Sequence, residues 1–134
     1  MKENENTTLI QSLYAAFGRG DIAFILDRVT PDAQWDFEAP ANIPYAGQRK
    51  GPAEIAGFFQ GLDSGCTDMN LAPEHFVAQS DLVATFGRFW GTAKATGKRF
   101  DVPYAHSFTV RDGKVAEFAN FGDTAALSSA FGSL

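Results

Sequence analysis

With one cysteine, two histidines and no cluster of basic residues, the 134-residue chain has little with which to cross-link itself, hold a metal or grip a polyanion. Cys66 alone excludes an internal disulfide, and one thiol beside His75 and His106 does not make a structural zinc site. A net charge of -5 without a basic run argues against nucleic acid or an anionic membrane as the principal partner. There is no Gly-rich phosphate loop, so neither an organic cofactor nor a metal is expected. Long apolar runs are missing and the opening MKENENTT is polar, so no signal peptide or membrane span is expected and the cytoplasm is the expected compartment. No repeat, linker or low-complexity stretch interrupts the chain, which is expected to be a single domain over 1–134.

Aromatic residues are what the chain has in excess. Thirteen Phe, two Trp and three Tyr point to a core or cavity walled by rings. Thr8 and Gln11 have the spacing of a capping box, and Leu9, Leu13, Ala16 and Phe17 follow at helical spacing, so a first helix of about three turns should end at Gly18 or Gly20. Asp21 can cap a second helix with an Ile22, Ile25, Leu26 and Val29 stripe before Pro31. Ala33, Trp35 and Phe37 alternate as a strand, and residues 39–52 read as a Pro- and Gly-rich loop. Pro52 opens a third helix with Ile55, Phe58, Phe59 and Leu62 on one face.

The rest reads as strands: Met69–Gln79, a Ser80-Asp81 turn, Leu82–Lys94, and a hairpin from Arg99 to Gly122 with Asp112-Gly113 at its tip. The tail after Asp123 has residues for a turn or two of helix. Helices first and a meander of long strands last predict an α+β fold, three helices from the N-terminal half packed on a strongly curved, mainly antiparallel sheet. Such a sheet cannot fill its own concavity, and a cone-shaped cavity is the expected ligand site. A void of several hundred Å³ would favour ligand chemistry, and a filled interior a silent module.

Two registers are compatible with the hairpin. A two-residue turn at Asp112-Gly113 pairs Val110 with Val115 and puts Ala119, Phe121 and Asp123 on the His106 face. A three-residue loop with Gly113 in a bulge pairs Val110 with Lys114 and sets His106 against Phe118, with Tyr104 and Asn120 beside it. The second keeps Glu117 out of the apolar face and is preferred on burial cost.

The pattern Tyr14-Ala-Ala-Phe-x-x-Gly-Asp21, Pro31-Asp-Ala-Gln-Trp35, Ala46-Gly-x-x-x-Gly51 and Asp112-Gly-Lys-Val ahead of Asn120-Phe-Gly-Asp123 resembles the NTF2-like, SnoaL-like group. That group includes ketosteroid isomerases, polyketide cyclases, limonene epoxide hydrolases and non-catalytic transport and accessory domains. By resemblance, the isomerase's oxyanion-hole tyrosine falls on Leu13 beside Tyr14, its proton-shuttling aspartate on Phe37, and its second oxyanion donor on His106, so no steroid isomerisation is expected. The cyclase histidine matches His106, while the cyclase acid/base aspartate falls on Asn120, an amide that holds a carbonyl or enol but moves no proton. The Arg-x-Asp at Arg99-Phe-Asp101 lies at a turn, away from where an epoxide hydrolase would need it.

His106 is thus the candidate acid/base or carbonyl-polarising group, with a pKa near working pH if it faces a pocket, and otherwise a core histidine. Asp123 reads either as the N-cap of the tail or as a second acid at the pocket mouth. Asn120 and Tyr14 are candidate polar contacts, and Trp35, Phe58, Trp90, Tyr104 and Phe118 candidate walls for a flat apolar ligand carrying a carbonyl or hydroxyl. Arg88, placed with Phe86 and Trp90, should pair with Asp36 or Glu74, reach the rim, or meet an anion. The rival expectation is a catalytically silent homodimer. Resemblance implies dimerisation through the outer sheet face, and Thr85, Phe89, Ala105, Ser107 and Thr109 would supply the patch.

Overall fold

A computed structural model describes residues 2–132. Its elements are α1 (Lys2–Gly18), α2 (Ile22–Leu26), β1 (Val29–Phe37), β2 (Gly47–Lys50), α3 (Gly51–Gly65), β3 (Cys66–Gln79), β4 (Leu82–Ala93), β5 (Arg99–Arg111), β6 (Lys114–Gly122) and α4 (Thr124–Phe131). The six strands form one curved sheet in the order β2-β1-β6-β5-β4-β3, antiparallel throughout except for β1 against β6. Among the described residues no helix is long and apolar enough to cross a membrane.

The helices cover one face of the sheet. Ile10, Leu13 and Ala16 of α1 are buried against β3 and β4, and Ile55, Phe58, Phe59 and Leu62 of α3 against β1. Asp21 caps α2, accepting from the Phe24 N–H at 3.1 Å. Asp123 caps α4, accepting from the Ala126 N–H at 3.0 Å. The loop before β2 is fastened to α4 by Asn42, whose amide donates to the Ser128 and Gly132 carbonyls at 2.9 and 2.6 Å and accepts from the Ser128 hydroxyl at 2.7 Å.

Local signals misplace several boundaries for identifiable reasons. The first helix starts at Lys2, so Thr8 lies inside it and is no cap. The polar stretch before Thr8 is held by tertiary contacts at the β3–β4 turn, where Glu3 accepts from the Ser80 N–H and Asn6 donates to the Ser80 carbonyl. The first strand starts at Val29, the 39–52 loop contains the short edge strand β2, and the tail makes an eight-residue fourth helix.

The hairpin combines features of both expected registers. Asp112 and Gly113 both have positive φ (53° and 77°), a two-residue primed turn that pairs Arg111 with Lys114 and Val110 with Val115. One step further Thr109 pairs with Glu117, leaving Ala116 as an extra residue in β6. The bulge restores the facing of the second register: His106 lies opposite Asn120, and Phe108 opposite Phe118. Val115 and Ala116 are both buried, while Glu117 stays on the outer face and accepts from the Thr109 hydroxyl at 3.2 Å.

The facing of β4 is the reverse of that expected. Val83, Thr85, Gly87 and Phe89 point into the cone, so Thr85 and Phe89 leave the proposed outer patch, and Phe86, Arg88 and Trp90 lie outside. Both faces of this strand carry large apolar residues, so alternation alone does not orient it. Pairing does, because Thr85 lies directly opposite His106. Arg88 makes its ion pair with Asp101 at 2.8 Å, on the exposed face.

Gly87 lies opposite Tyr104, and a Cβ there would sit 2.1 Å from the Ala72 carbonyl oxygen and 2.8 Å from the Tyr104 hydroxyl. Gly87→Ala should therefore destabilise by about 3 kcal/mol, the upper range for overpacking, against about 1 kcal/mol for Gly113→Ala at its positive-φ turn. Urea melts of the two variants check the ranking.

Candidate functional site

The concave face gathers one polar chain inside an aromatic shell. Even-numbered residues of β5 point inward, which places Tyr104, His106 and Phe108 in succession. Thr85 comes from β4, Asn120 and Phe118 from β6, and Tyr14 from α1. The Tyr14 hydroxyl lies 2.6 Å from Thr85 Oγ1 and 2.6 Å from His106 Nδ1. His106 stacks on Tyr104 with centroids 4.1 Å apart and meets Phe118 edge-on at 4.9 Å.

Satisfying the buried donors assigns the proton order of this chain. Thr85 is fully buried and Tyr14 is the partner its hydroxyl has among the described residues. If Thr85 donates to Tyr14 and Tyr14 donates to Nδ1, both hydroxyl protons are used and His106 keeps its proton on Nε2. The reverse order would strand the Thr85 proton. His106 thus presents a neutral N–H.

Electrostatics supports the same state. Burial pushes the His106 pKa down to about 3, and hydrogen bonding to Asn120 works against it. The expected pKa near working pH is therefore corrected, because the imidazole is enclosed by rings and no carboxylate stands beside it. Burial also raises Tyr14, with the Thr85 hydrogen bond opposing, and lifts Tyr104 to about 12. The Tyr104 hydroxyl lies close to that of Tyr14 without a hydrogen bond of ordinary geometry. The Tyr45 hydroxyl lies by Cys66, again without one, and burial moves that thiol up to about 11.

These side chains line a cavity of about 90 Å³. Its wall includes His106, Asn120, Tyr14, Trp35, Phe58, Tyr104 and Phe118, all singled out from the sequence, and its rim reaches the exposed residues Pro103, Gly122 and Asp123. Trp90 is corrected: on the outer face of β4 it is not part of the wall. Asp123 lies at the mouth with its carboxylate engaged as the α4 cap. Thr85 was missed as a site residue, and only the β4–β5 pairing reveals it. The space is well below the expected several hundred Å³ and smaller than the roughly 150 Å³ apolar cavity that encloses one benzene. Even a one-ring ligand must therefore extend through the mouth, and by volume alone the interior leans toward the silent module.

A family model for the SnoaL-like domain matches residues 10–118. The chain belongs to the SnoaL-like family. An NTF2-like protein from Burkholderia xenovorans LB400 is similar to this SnoaL-like domain at 30% identity, with 96% of this chain and 97% of that one covered and a TM-score of 0.86. TerC, crystallised with polyporic acid, is likewise 30% identical over 96% of this chain and 99% of its own, at 0.86. An NTF2-like protein from Burkholderia thailandensis E264 is 28% identical over 96% and 98%, at 0.87. A search of curated sequences found no significant match.

Two outcomes follow for the SnoaL-like domain. Removing the Tyr14 hydroxyl (Tyr14→Phe) leaves Thr85 and Nδ1 unpaired and should destabilise by about 1–3 kcal/mol, with a change in the His106 ring nitrogen shifts by NMR. His106 has a folded pKa depressed to about 3 against an ordinary 6.5. Its contribution to stability is therefore complete above pH 6.5 and lost as pH falls towards 3, where the unfolded chain takes up the proton and the folded chain does not. Chemical denaturation across that window should show a slope approaching about 1.4 kcal/mol per pH unit from this residue, absent in His106→Gln.

Proposed function

We propose that this SnoaL-like domain binds a small, neutral, flat apolar molecule through a carbonyl or hydroxyl oxygen, with the His106 Nε2–H, shared with Asn120, as the principal donor. The observation that carries this reading is a neutral imidazole, tied at Nδ1 to Tyr14 and Thr85, on the wall of an otherwise aromatic cavity. A charged ligand does not suit the cavity, because among the described residues no Lys or Arg lines it to hold an anion, and Asp123, its one carboxylate, is at the mouth and already capping a helix. TerC, 30% identical and co-crystallised with polyporic acid, supports an organic ligand for a protein of this kind.

Any reaction here is polarisation of the bound carbonyl by a neutral imidazole, not a relay between two titrating side chains. A neutral histidine held in one tautomer is a competent electrophile of that kind. Isomerisation, cyclisation or hydrolysis would then need a proton acceptor from the substrate or from water at the mouth. No cofactor is part of this reading.

Labelled His106 and Asn120 resonances, followed during titration with a panel of flat ketones and lactones, test the proposal. Shifts at both are expected, and His106→Phe should weaken ketone binding about tenfold, the worth of one hydrogen bond. No shift at any cavity resonance sinks it.

The outer sheet face supports a second, compatible proposal, a homodimer. Phe86, Ala105 and Phe121 pair across three strands in one row, with Phe86 42% and Phe121 64% exposed, and Ser107 and Thr109 continue the face. Val77 and Leu82 add further exposed apolar surface. Sedimentation should show a dimer that Phe86→Asp with Phe121→Asp converts to monomer; a monomeric wild type at micromolar concentration rejects it.

A further inference from the structure

Three buried donors on cavity-lining residues lack a hydrogen-bond partner among the described residues: the Tyr45 and Tyr104 hydroxyls, which lie by Cys66 and Tyr14, and the indole N–H of Trp35. Trp35 is 4% exposed and lines the cavity, and its indole Nε1–H has no hydrogen-bond partner among the described residues. A buried donor left unpaired carries its full desolvation cost, so such groups are rare unless something else completes them. The ring itself is firmly held, stacked on Phe118 at 4.2 Å and 22° and wedged by Phe58 and Phe59 at 5.8 Å each. Those two rings are tilted against the indole by 58° and 57°, and an aromatic face is at best a weak substitute acceptor.

Trp35 also stands apart from the other polar groups. Among the described residues its ring packs on Phe58, Phe59 and Phe118, whereas His106 packs with Tyr14, Tyr104, Phe108 and Phe118. Phe118 is the shared neighbour, so the indole and the imidazole flank one ring on the same wall. Trp35 on β1 and His106 on β5 thus sit on the strands either side of β6, which carries Phe118.

We infer that Trp35 is a specificity-determining residue whose indole N–H receives a second acceptor atom of the ligand, so that the site selects planar rings carrying two separated hydrogen-bond acceptors over rings carrying one. This rests on the His106 grip proposed above and adds a second contact to it. A mono-acceptor ligand leaves the indole orphaned, while a second acceptor without Trp35 would itself be buried unpaired. The contribution to selectivity is thus larger than that to affinity, as for any site that hydrogen-bonds a ligand group rather than merely enclosing it.

Acetophenone and its 2-, 3- and 4-aza analogues, the acetylpyridines, test this without changing ligand size. Each analogue replaces one ring C–H with a nitrogen acceptor that is neutral at pH 7, and the three scan its position. One isomer is expected to bind about 3- to 10-fold more tightly than acetophenone, the worth of one net hydrogen bond. The same isomer should move the Trp35 indole N–H resonance downfield, while the Trp90 indole, on the outer face, stays fixed as an internal control. In Trp35→Phe the preference should reverse, with acetophenone binding nearly unchanged. The wild-type resonance supplies a readout that does not depend on that variant folding.

If the ketones bind at His106 but no isomer is preferred and the Trp35 signal does not move, the second-acceptor inference is overturned and the His106 reading stands. An indole proton strongly shielded in the free protein and unchanged by every ligand overturns it too, since that marks an N–H seated on an aromatic face. If no ketone shifts His106, the underlying reading fails and this inference falls with it.

Discussion

The register between β5 and β6 decides which side chains meet inside the cone, because a one-residue slip would exchange Phe118 and Asn120 for Ala119 and Phe121. That register is set by the extra residue Ala116, tucked behind a two-residue turn. The turn alone would align the strands the other way. Burying Val115 and Ala116 in succession while leaving Glu117 in water resolves the conflict between turn geometry and core composition. His106 against Asn120, Phe118 against Phe108, and the exposed row of Phe86 and Phe121 all depend on it.

Within the cavity the polar groups are few, and one chain of them is internally satisfied. Thr85, Tyr14 and His106 satisfy one another in a line, which is how a histidine can be buried among rings without charge. The same line removes the option of an imidazolium acid at neutral pH and leaves a directed N–H. Asp123, which looks in the linear sequence like a partner for His106, is committed to starting α4. The resulting chemistry is recognition and polarisation in an apolar shell.

Much of the site was legible in the chain because strand periodicity and ring content are local signals. Tyr104, His106 and Phe108 fall on one face by alternation, Pro52 and the apolar spacing locate α3, and Asp21 and Asp123 announce helix starts. The remainder depends on contacts that no local pattern carries. α1 extends to Lys2 because Glu3 and Asn6 reach a turn far along the chain. The orientation of β4 was hidden because Phe86 and Trp90 on one side and Val83 and Phe89 on the other look equally suited to a core. Trp90 and Thr85 consequently exchange roles between expectation and structure. The depth of the His106 burial, and with it the low pKa, comes from rings supplied by three elements, α1, β5 and β6.

The parallel contact between β1 and β6 has a consequence for the order of folding. It joins the first long strand to the last, and Tyr14 meets His106 across 92 residues of sequence. No contiguous fragment contains the pocket, and contacts of such separation must wait for loop closure over most of the molecule. A nascent chain would therefore complete α1 to α3 and the β3–β4 hairpin before it has anywhere to hold a ligand. The binding site is the last thing to exist and, by the same logic, the first to report when the fold loosens.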